Sequence, residues 1–176
     1  MTAHLPAIDI GKGAVLSPDK SRRFLLWRVW RRERPRVLYV MLNPSIADAQ
    51  VDDPTIRRCW HFAYSDRAGG FLVANLLSQR SSLPSRLENK PEPSEADQYL
   101  RFAMEMCARV VVGWGTCSSV DRAVRVLLKE RKERVVEEAA RAGRELHCLR
   151  SNLDGSPEHP LFVPNGTSFV PWKATP

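Results

Sequence analysis

The feature that most constrains this chain is a short apolar run that stops at a turn. Residues 37–42 are apolar or aromatic, and Asn43, Pro44 and Ser45 follow them directly. A run of this kind, bounded by turn residues, predicts a buried strand. Because proline cannot donate to a strand ladder and disfavours helix at the residue before it, we expect Asn43 to lie on a turn at the carboxyl end of a central strand. In open α/β sheets, ligands bind at this edge.

The segment after this turn predicts a helix over residues 54–63. Asp53 precedes Pro54, and an aspartate cap followed by proline is a typical helix start. The apolar stripe of this helix has the expected spacing and consists of Ile56, Cys59, Trp60 and Ala63. Asp52 and Asp53 could serve only as the cap, could orient Arg57, or could contact sugar hydroxyls of a ligand.

The rest of the chain alternates between predicted strands and helices. Further strands are predicted at residues 24–30, 71–74, 109–115 and 145–149, and further helices at residues 94–108 and 118–132. Residues 133–142 either continue the last helix or begin another. Ser94 is the expected cap of the first of these helices, and Ser118 or Ser119 begins the second. The basic residues 31–36 predict a hairpin turn into the strand at residues 37–42. Residues 78–93 predict an ordered loop or binding flap, residues 1–20 an irregular arm, and residues 162–176 a proline-rich tail on the surface.

This alternation predicts one domain, residues 1–176, in the α/β class. The expected architecture is a three-layer α/β/α sandwich around a central, mostly parallel, four-stranded sheet. The strand ends would then bring Asn43, Asn75, the turn at residues 113–115 and His159 to one edge of the sheet.

Composition narrows the class of partner. Lysine and arginine total 27 and aspartate and glutamate total 20, a net charge of +7. This charge is compatible with a nucleic-acid partner, but it is equally compatible with a basic protein that binds no nucleic acid. The amino terminus lacks a signal-peptide pattern and no apolar run has membrane-spanning length, so we expect a cytoplasmic protein without a membrane partner. The four cysteines are scattered without C-x-x-C spacing, so we expect reduced thiols, no metal and no other cofactor.

The polar residues at the predicted strand ends favour recognition and hydrogen bonding. Asn43 and Asn75 each offer an amide donor and acceptor, which can pair with a base edge. A histidine such as His159 can donate a hydrogen bond to a developing oxyanion. The chain has no G-x-S-x-G elbow, P-loop or G-x-G-x-x-G sequence, which disfavours the hydrolases and nucleotide-binding proteins that use them.

The order of these motifs resembles a bacterial and phage family of formerly unknown function. That family is marked by NPS-x-A-D, D-D-P-T-x-R-R-C, G-G-F, N-L, W-G and H-P-L, which here span residues 43–48, 52–59, 69–71, 75–76, 114–115 and 159–161. The same order is similar to that of the uracil-DNA glycosylase superfamily.

The resemblance to the glycosylase superfamily implies a role for each motif. Asn43 would handle the water nucleophile, with Pro44, Ser45 and Asp53 beside the base. Phe62 would stack on a flipped-out base and Asn75 would recognise its edge. His159 would stabilise the leaving base, and Leu161 or Phe162 would wedge the duplex.

Three departures from the superfamily pattern affect these roles. The serine-rich sequence that follows the His-Pro pair in the superfamily is missing here, so the identity of the wedge residue stays open. Asn43 replaces the aspartate of the uracil-specific branch, so water would be oriented and not deprotonated; whether Asp48, Asp52 or Asp53 is catalytic stays open. The segment at residues 78–93 has no counterpart and could line an enlarged pocket. In size and in its Asn-Pro motif, the chain is similar to a phage-restricting glycosylase that removes glucosylated hydroxymethylcytosine.

The implied partner is double-stranded phage DNA with a modified base, bound by a monomer. Phosphates would be held by basic side chains, with Arg57, Arg58, Arg80, Arg86 and Lys90 as candidates. Two other functions stay open: a non-catalytic protein that recognises modified DNA, and a hydrolase of free nucleosides or nucleotides.

Overall fold

The computed structural model describes residues 4–174 and contains one mixed sheet with three helices. The strands are β1 (Gly11–Leu16), β2 (Arg23–Val29), β3 (Arg36–Met41), β4 (Gly70–Asn75), β5 (Arg109–Val112), β6 (Leu146–Cys148) and β7 (Val170–Pro171). The helices are α1 (Pro54–Ser65), α2 (Ser94–Met106) and α3 (Arg122–Arg141). Within the described residues, no helix has both the length and the apolar character needed to cross a membrane.

The sheet has seven strands in the order β1-β2-β4-β3-β5-β6-β7. The α/β class is confirmed, but the prediction of a four-stranded, mostly parallel sheet was wrong. The interior strands β4, β3, β5 and β6 pair in parallel. Strands β1, β2 and β7 add antiparallel pairings at the two sides. These three strands extend the sheet beyond the part that the buried apolar runs predict.

Several local predictions were wrong. The arm at residues 1–20 contains β1, and the tail contains β7. Residues 31–36 do not form a hairpin, because β4 lies between β2 and β3. Ser94 is the first residue of α2 and makes no cap, and Asp121, not a serine, caps α3 by accepting from the amide of Ala123 at 2.8 Å.

Helices cover both faces of the sheet, which explains why its central strands are apolar throughout. Alternate residues of β3 face opposite sides: Tyr39 packs in the cluster that includes the α1 residues Ile56 and Cys59. Leu38 and Val40 pack in the cluster that holds the apolar residues of α2 and α3. The core is therefore divided into two layers by the sheet.

The chain leaves neighbouring strands toward opposite faces. After β3 it passes to α1 on one face, and after β5 it passes to α3 on the other. A crevice opens where adjacent parallel strands diverge in this way. The fold thus places a cleft at the carboxyl ends of β3 and β5.

Candidate functional site

A cavity of about 430 Å³ occupies this cleft. Six parts of the chain contribute to it: the start of β2, the turn after β3, the start of α1, the segment at residues 81–84, the turn after β5 and the segment around His159. Among the predicted site residues, the lining includes Asn43, Ser45, Asp53 and His159. Its size suits a small ligand held largely inside the protein.

Asn43 is half-buried at the end of β3 and is held by two backbone carbonyls. Its Nδ2 donates to the carbonyl oxygens of Pro44 at 3.0 Å and Ser81 at 2.8 Å. These two acceptors assign the amide orientation, since only the nitrogen can donate. The Oδ1 atom accepts no hydrogen bond from any described residue, so it can accept one from a water or ligand in the cavity. Pro44 itself is buried and does not line the cavity.

Asp53 caps α1, as predicted, and also lines the cavity. Its Oδ1 accepts from the amide of Ile56 at 2.8 Å, and Pro54 is the first helical residue. The side chain is buried, and its negative charge acts on both Arg23 and His159. The helix start therefore delivers one carboxylate to the wall of the cavity.

His159 is held as a neutral hydrogen-bond donor. Its Nδ1 accepts from the amide of Leu161 at 3.3 Å, which leaves the proton of the neutral ring on Nε2. Burial lowers the pKa of His159, and the charge of Asp53 offsets part of this shift. The ring is therefore neutral at physiological pH and keeps a donor that can serve the cavity.

Two glycines allow the histidine segment to approach β5. A Cβ at Gly113 would lie 2.9 Å from Cδ of Pro160, a distance at which one of the two segments must move. Gly115 has a φ of +74°, which favours glycine, and its amide donates to the carbonyl of Pro157 at 2.9 Å. These contacts seat His159 beside the turn after β5.

The structure adds a cavity residue that sequence reasoning missed. Arg23, at the start of β2, is 3% exposed and lines the cavity. Its Nη1 donates to the carbonyl of Ala47 at 2.9 Å and its Nη2 to Oδ1 of Asn75 at 3.3 Å, whereas Nε has no partner among the described residues. Burial lowers the pKa of Arg23 to about 10, and Asp53 opposes this shift, so the guanidinium stays charged. An arginine at the start of an apolar run was the signal that could have identified it.

Asn75 does not reach the cavity directly. It is 9% exposed, does not belong to the lining, and its Nδ2 has no partner within the described part of the chain. Because its Oδ1 accepts from Arg23, Asn75 lies behind the guanidinium. The residue expected to recognise a base edge thus contacts the residue that does line the cavity.

Phe62 also lies outside the cavity. It is 2% exposed and packs with Leu149 and Val163, and the guanidinium of Arg58 covers its ring at 4.7 Å. Leu161 and Phe162, the candidate wedge residues, do line the cavity and are 39% and 70% exposed. Aromatic surface at the cavity mouth therefore comes from Phe162 and not from Phe62.

Three of the predicted phosphate-binding arginines are engaged within the protein. Arg57 donates to the carbonyl of Asp52 at 2.8 Å, and Arg58 donates to Asn165 and to the carbonyl of Val163. Arg80 donates to three carbonyl oxygens, those of Ser45, Ile46 and Lys20. Arg58 and Arg80 thus each hold in place a loop that contributes residues to the cavity wall.

Arg86 and Lys90 remain at the surface. Both line a second cavity of about 500 Å³ that shares Ser81 and Ser82 with the first. Lys90 pairs with the exposed Glu88 at 2.5 Å, and Arg86 is exposed on the segment at residues 78–93. This basic surface adjoins the mouth of the main cavity.

Asp48 and Asp52, the other two aspartates considered as catalytic candidates, stabilise the loop before α1. Asp52 accepts from Nε and Nη2 of Arg28, at 2.7 and 2.5 Å, and from Lys12. Asp48 accepts from the amides of Gln50 and Val51. Neither lines the main cavity, so Asp53 is its carboxylate among the three.

All four cysteines are buried and free. Within residues 4–174, no group of three or more His, Cys, Asp or Glu side chains is placed to hold a metal ion. The thiols therefore contribute to packing.

Residues 23–161 match the model of a family described as protein of unknown function, DUF1643. No curated protein and no solved structure matches the chain. The similarity to the uracil-DNA glycosylase superfamily accordingly stays a prediction.

Proposed function

The chain belongs to the DUF1643 family, and we propose that it is a DNA glycosylase that removes a flipped-out modified base. One observation carries the proposal: Asn43 and His159, the two residues to which the motif order assigns the chemistry, line one cavity at the divergence of β3 and β5. They are separated by more than 100 positions in the sequence. Glucosylated hydroxymethylcytosine in phage DNA is the first candidate substrate, with an abasic site as the product and phage defence as the role.

The two residues have complementary chemistry for hydrolysis of an N-glycosidic bond. The bond between C1′ and the base nitrogen breaks, and its electron pair leaves with the base. Oδ1 of Asn43 accepts a hydrogen bond from the water that adds to C1′, and that water loses a proton to solvent. Nε2–H of His159 donates to the departing base, which finally gains a proton. Hydrogen bonds aimed at developing charge are a major source of transition-state stabilisation.

DNA would approach over the basic surface beside the cavity mouth. Arg86 and Lys90 are exposed there and would neutralise phosphates, which makes binding depend on salt. The exposed Phe162 and Leu161 at the rim would occupy the space left by the flipped base. Flipping costs about a few kcal/mol, less for a mispaired base, and these contacts would offset it.

A protein that recognises modified DNA without cleaving it is the second candidate. The amide of Asn43 cannot remove a proton from water, and Asp53 already accepts the cap hydrogen bond of α1. If neither group acts as a base, the same cavity would hold a modified base without chemistry.

The deciding experiment incubates the purified protein with three DNAs: phage DNA with glucosylated hydroxymethylcytosine, uracil-containing DNA and unmodified DNA. Abasic sites are assayed by alkali cleavage and released bases by mass spectrometry. We expect release from the glucosylated DNA without added metal. Asn43→Ala should abolish release while DNA binding and folding stay near wild type, and Asn89→Ala, at an exposed asparagine outside both cavities, is the matched control. Tight binding without release from any DNA would favour the second candidate.

A further inference from the structure

The least satisfied buried group in the cavity is the guanidinium of Arg23. Of its five N–H donors, one on Nη1 and one on Nη2 are used, both on neutral oxygens. Nε is buried without a partner in the described part of the chain. A buried charge is ordinarily paired, because leaving it unpaired costs several kcal/mol. The charge is thus held in the cavity wall with donors to spare.

The surroundings reinforce the positive character of this site. The nearby Arg80 donates only to carbonyl oxygens, so no carboxylate among the described residues pairs with it. The carboxylate of Asp52 pairs with Arg28 and therefore does not neutralise Arg23. Asp53 is a carboxylate of the cavity wall, but its Oδ1 accepts from the amide of Ile56 and no hydrogen bond joins it to Arg23. The charge of Asp53 offsets part of the charge of Arg23, but one wall carries a cation without a hydrogen-bonded counter-ion in the part of the chain that the structure describes.

We propose that Arg23 is the anion-stabilising residue of the cavity, where it donates to a carbonyl oxygen of the departing base. This inference rests on the proposed function in taking the occupant to be a nucleobase. When the C1′–N bond breaks, the electron pair spreads over the base ring and its carbonyl oxygen. A fixed cation in a water-poor site stabilises the negative charge of the departing base more than it stabilises the intact, neutral base. Asn75 is then a positioning residue, which holds Nη2 through its Oδ1.

The test uses free bases, so it does not require turnover. The probes are 5-nitrouracil, an anion at neutral pH, and uracil, its neutral counterpart, titrated by calorimetry into the full-length protein. Charge-assisted hydrogen bonds contribute enough for about a tenfold to hundredfold preference for the anion. Arg23→Gln should abolish the preference and Arg23→Lys should retain much of it. Arg67→Gln, at an exposed arginine after the carboxyl end of α1, should leave it unchanged.

A second variant covers the case in which Arg23→Gln fails to fold. Asn75→Asp keeps the guanidinium in place but supplies a carboxylate at the atom that already accepts from it. We expect this variant to melt at a higher temperature than wild type and to lose most of the preference for 5-nitrouracil. If Arg23 had only a structural role, Asn75→Asp would raise the melting temperature without reducing the preference for 5-nitrouracil.

The outcomes separate this inference from the proposed function. Equal affinity for the two probes, no binding of either, or a preference that survives both Arg23→Gln and Asn75→Asp overturns the role of Arg23. Base release from DNA is measured independently. If the protein prefers the anionic base through Arg23 but releases no base from any DNA, the anion site stands and the glycosylase proposal is wrong.

Discussion

Removal of the Asp52 carboxylate should destabilise the protein because Arg28 depends on it. The Arg28 side chain is 0% exposed, and Asp52 accepts from its Nε at 2.7 Å and its Nη2 at 2.5 Å. Removing one partner of a buried pair costs about 3–5 kcal/mol. Arg28 would keep the carbonyl oxygens of Trp27 and Asp48, at 2.8 and 2.7 Å, so we expect Asp52→Ala to cost about 3 kcal/mol, the lower end of that range.

Urea denaturation at pH 7, followed by tryptophan fluorescence, measures this cost. In a protein of this size the same loss lowers the melting temperature by about 6–12 °C. Asp66→Ala is the control, since Asp66 pairs with Arg109 where both side chains are more than a third exposed (34% and 37%); such pairs contribute about 0.2–1 kcal/mol. The double variant Arg28→Met with Asp52→Ala should recover much of the stability, because it removes the buried charge together with its partner.

The pH dependence gives a second check on the same pair. Burial raises the pKa of Asp52, but hydrogen bonds from Arg28 and Lys12 outweigh it and leave the pKa lowered. The folded pKa therefore lies below the unfolded one, so the stabilisation is full above the ordinary aspartate pKa and is lost as pH falls through the lowered value. A loss below about 1 kcal/mol at pH 7, or a difference that persists in strong acid, would refute the account of Asp52 as the counter-ion of Arg28.

Three further predictions concern the cavity and its rim. Protonation of His159 would add a proton to Nδ1 and break its hydrogen bond from the amide of Leu161, which orients the ring. Since burial lowers the pKa of His159, base release should persist below the ordinary histidine pKa and fall only as pH drops through the lowered value; a pH–rate profile with its acid limb above that ordinary value contradicts this. Gly113→Ala places a Cβ 2.9 Å from Cδ of Pro160, so it should cost about 1–3 kcal/mol and reduce kcat by displacing the histidine segment, which unchanged kinetics and melting would disprove. Arg86→Gln and Lys90→Gln should each reduce the slope of log Kd against log salt for DNA by about 0.9, and an unaltered slope would remove these residues from the DNA contact.

The parts of the fold that were predictable depend on local signals. The runs at β3, β4 and β5 are apolar because both faces of the sheet are covered, so they stand out from any flanking segment. The start of α1 was equally visible, since a cap and a proline act within one turn of helix. Asn43 could be placed at a strand end for the same reason.

The pairing of the outer strands was not predictable in this way. β1 has mixed burial and β7 consists of two exposed residues, so neither has the continuous apolar run that predicts a strand. β1 pairs with the next strand, β2, whereas β7 pairs with β6 from more than 20 residues away. The expected hairpin at residues 31–36 failed because β2 pairs with β4, whose strand comes more than 40 residues later. Strand pairing is a non-local choice, and neighbouring sequence carries little information about it.

Sequence alone determined the α/β class, the buried strands, the capped helix and the placement of Asn43 and His159 at chain turns. Only the tertiary structure decided that Arg23 lines the cavity, that Asn75 stands behind it, and that Phe62 is buried under Arg58. The physical reason is that a turn or a cap depends on residues a few positions apart. A cavity wall depends instead on which strands become neighbours and on which loops cover a helix face. Arg23 meets Asn75 because β2 pairs with β4, and that contact exists only once the sheet has assembled.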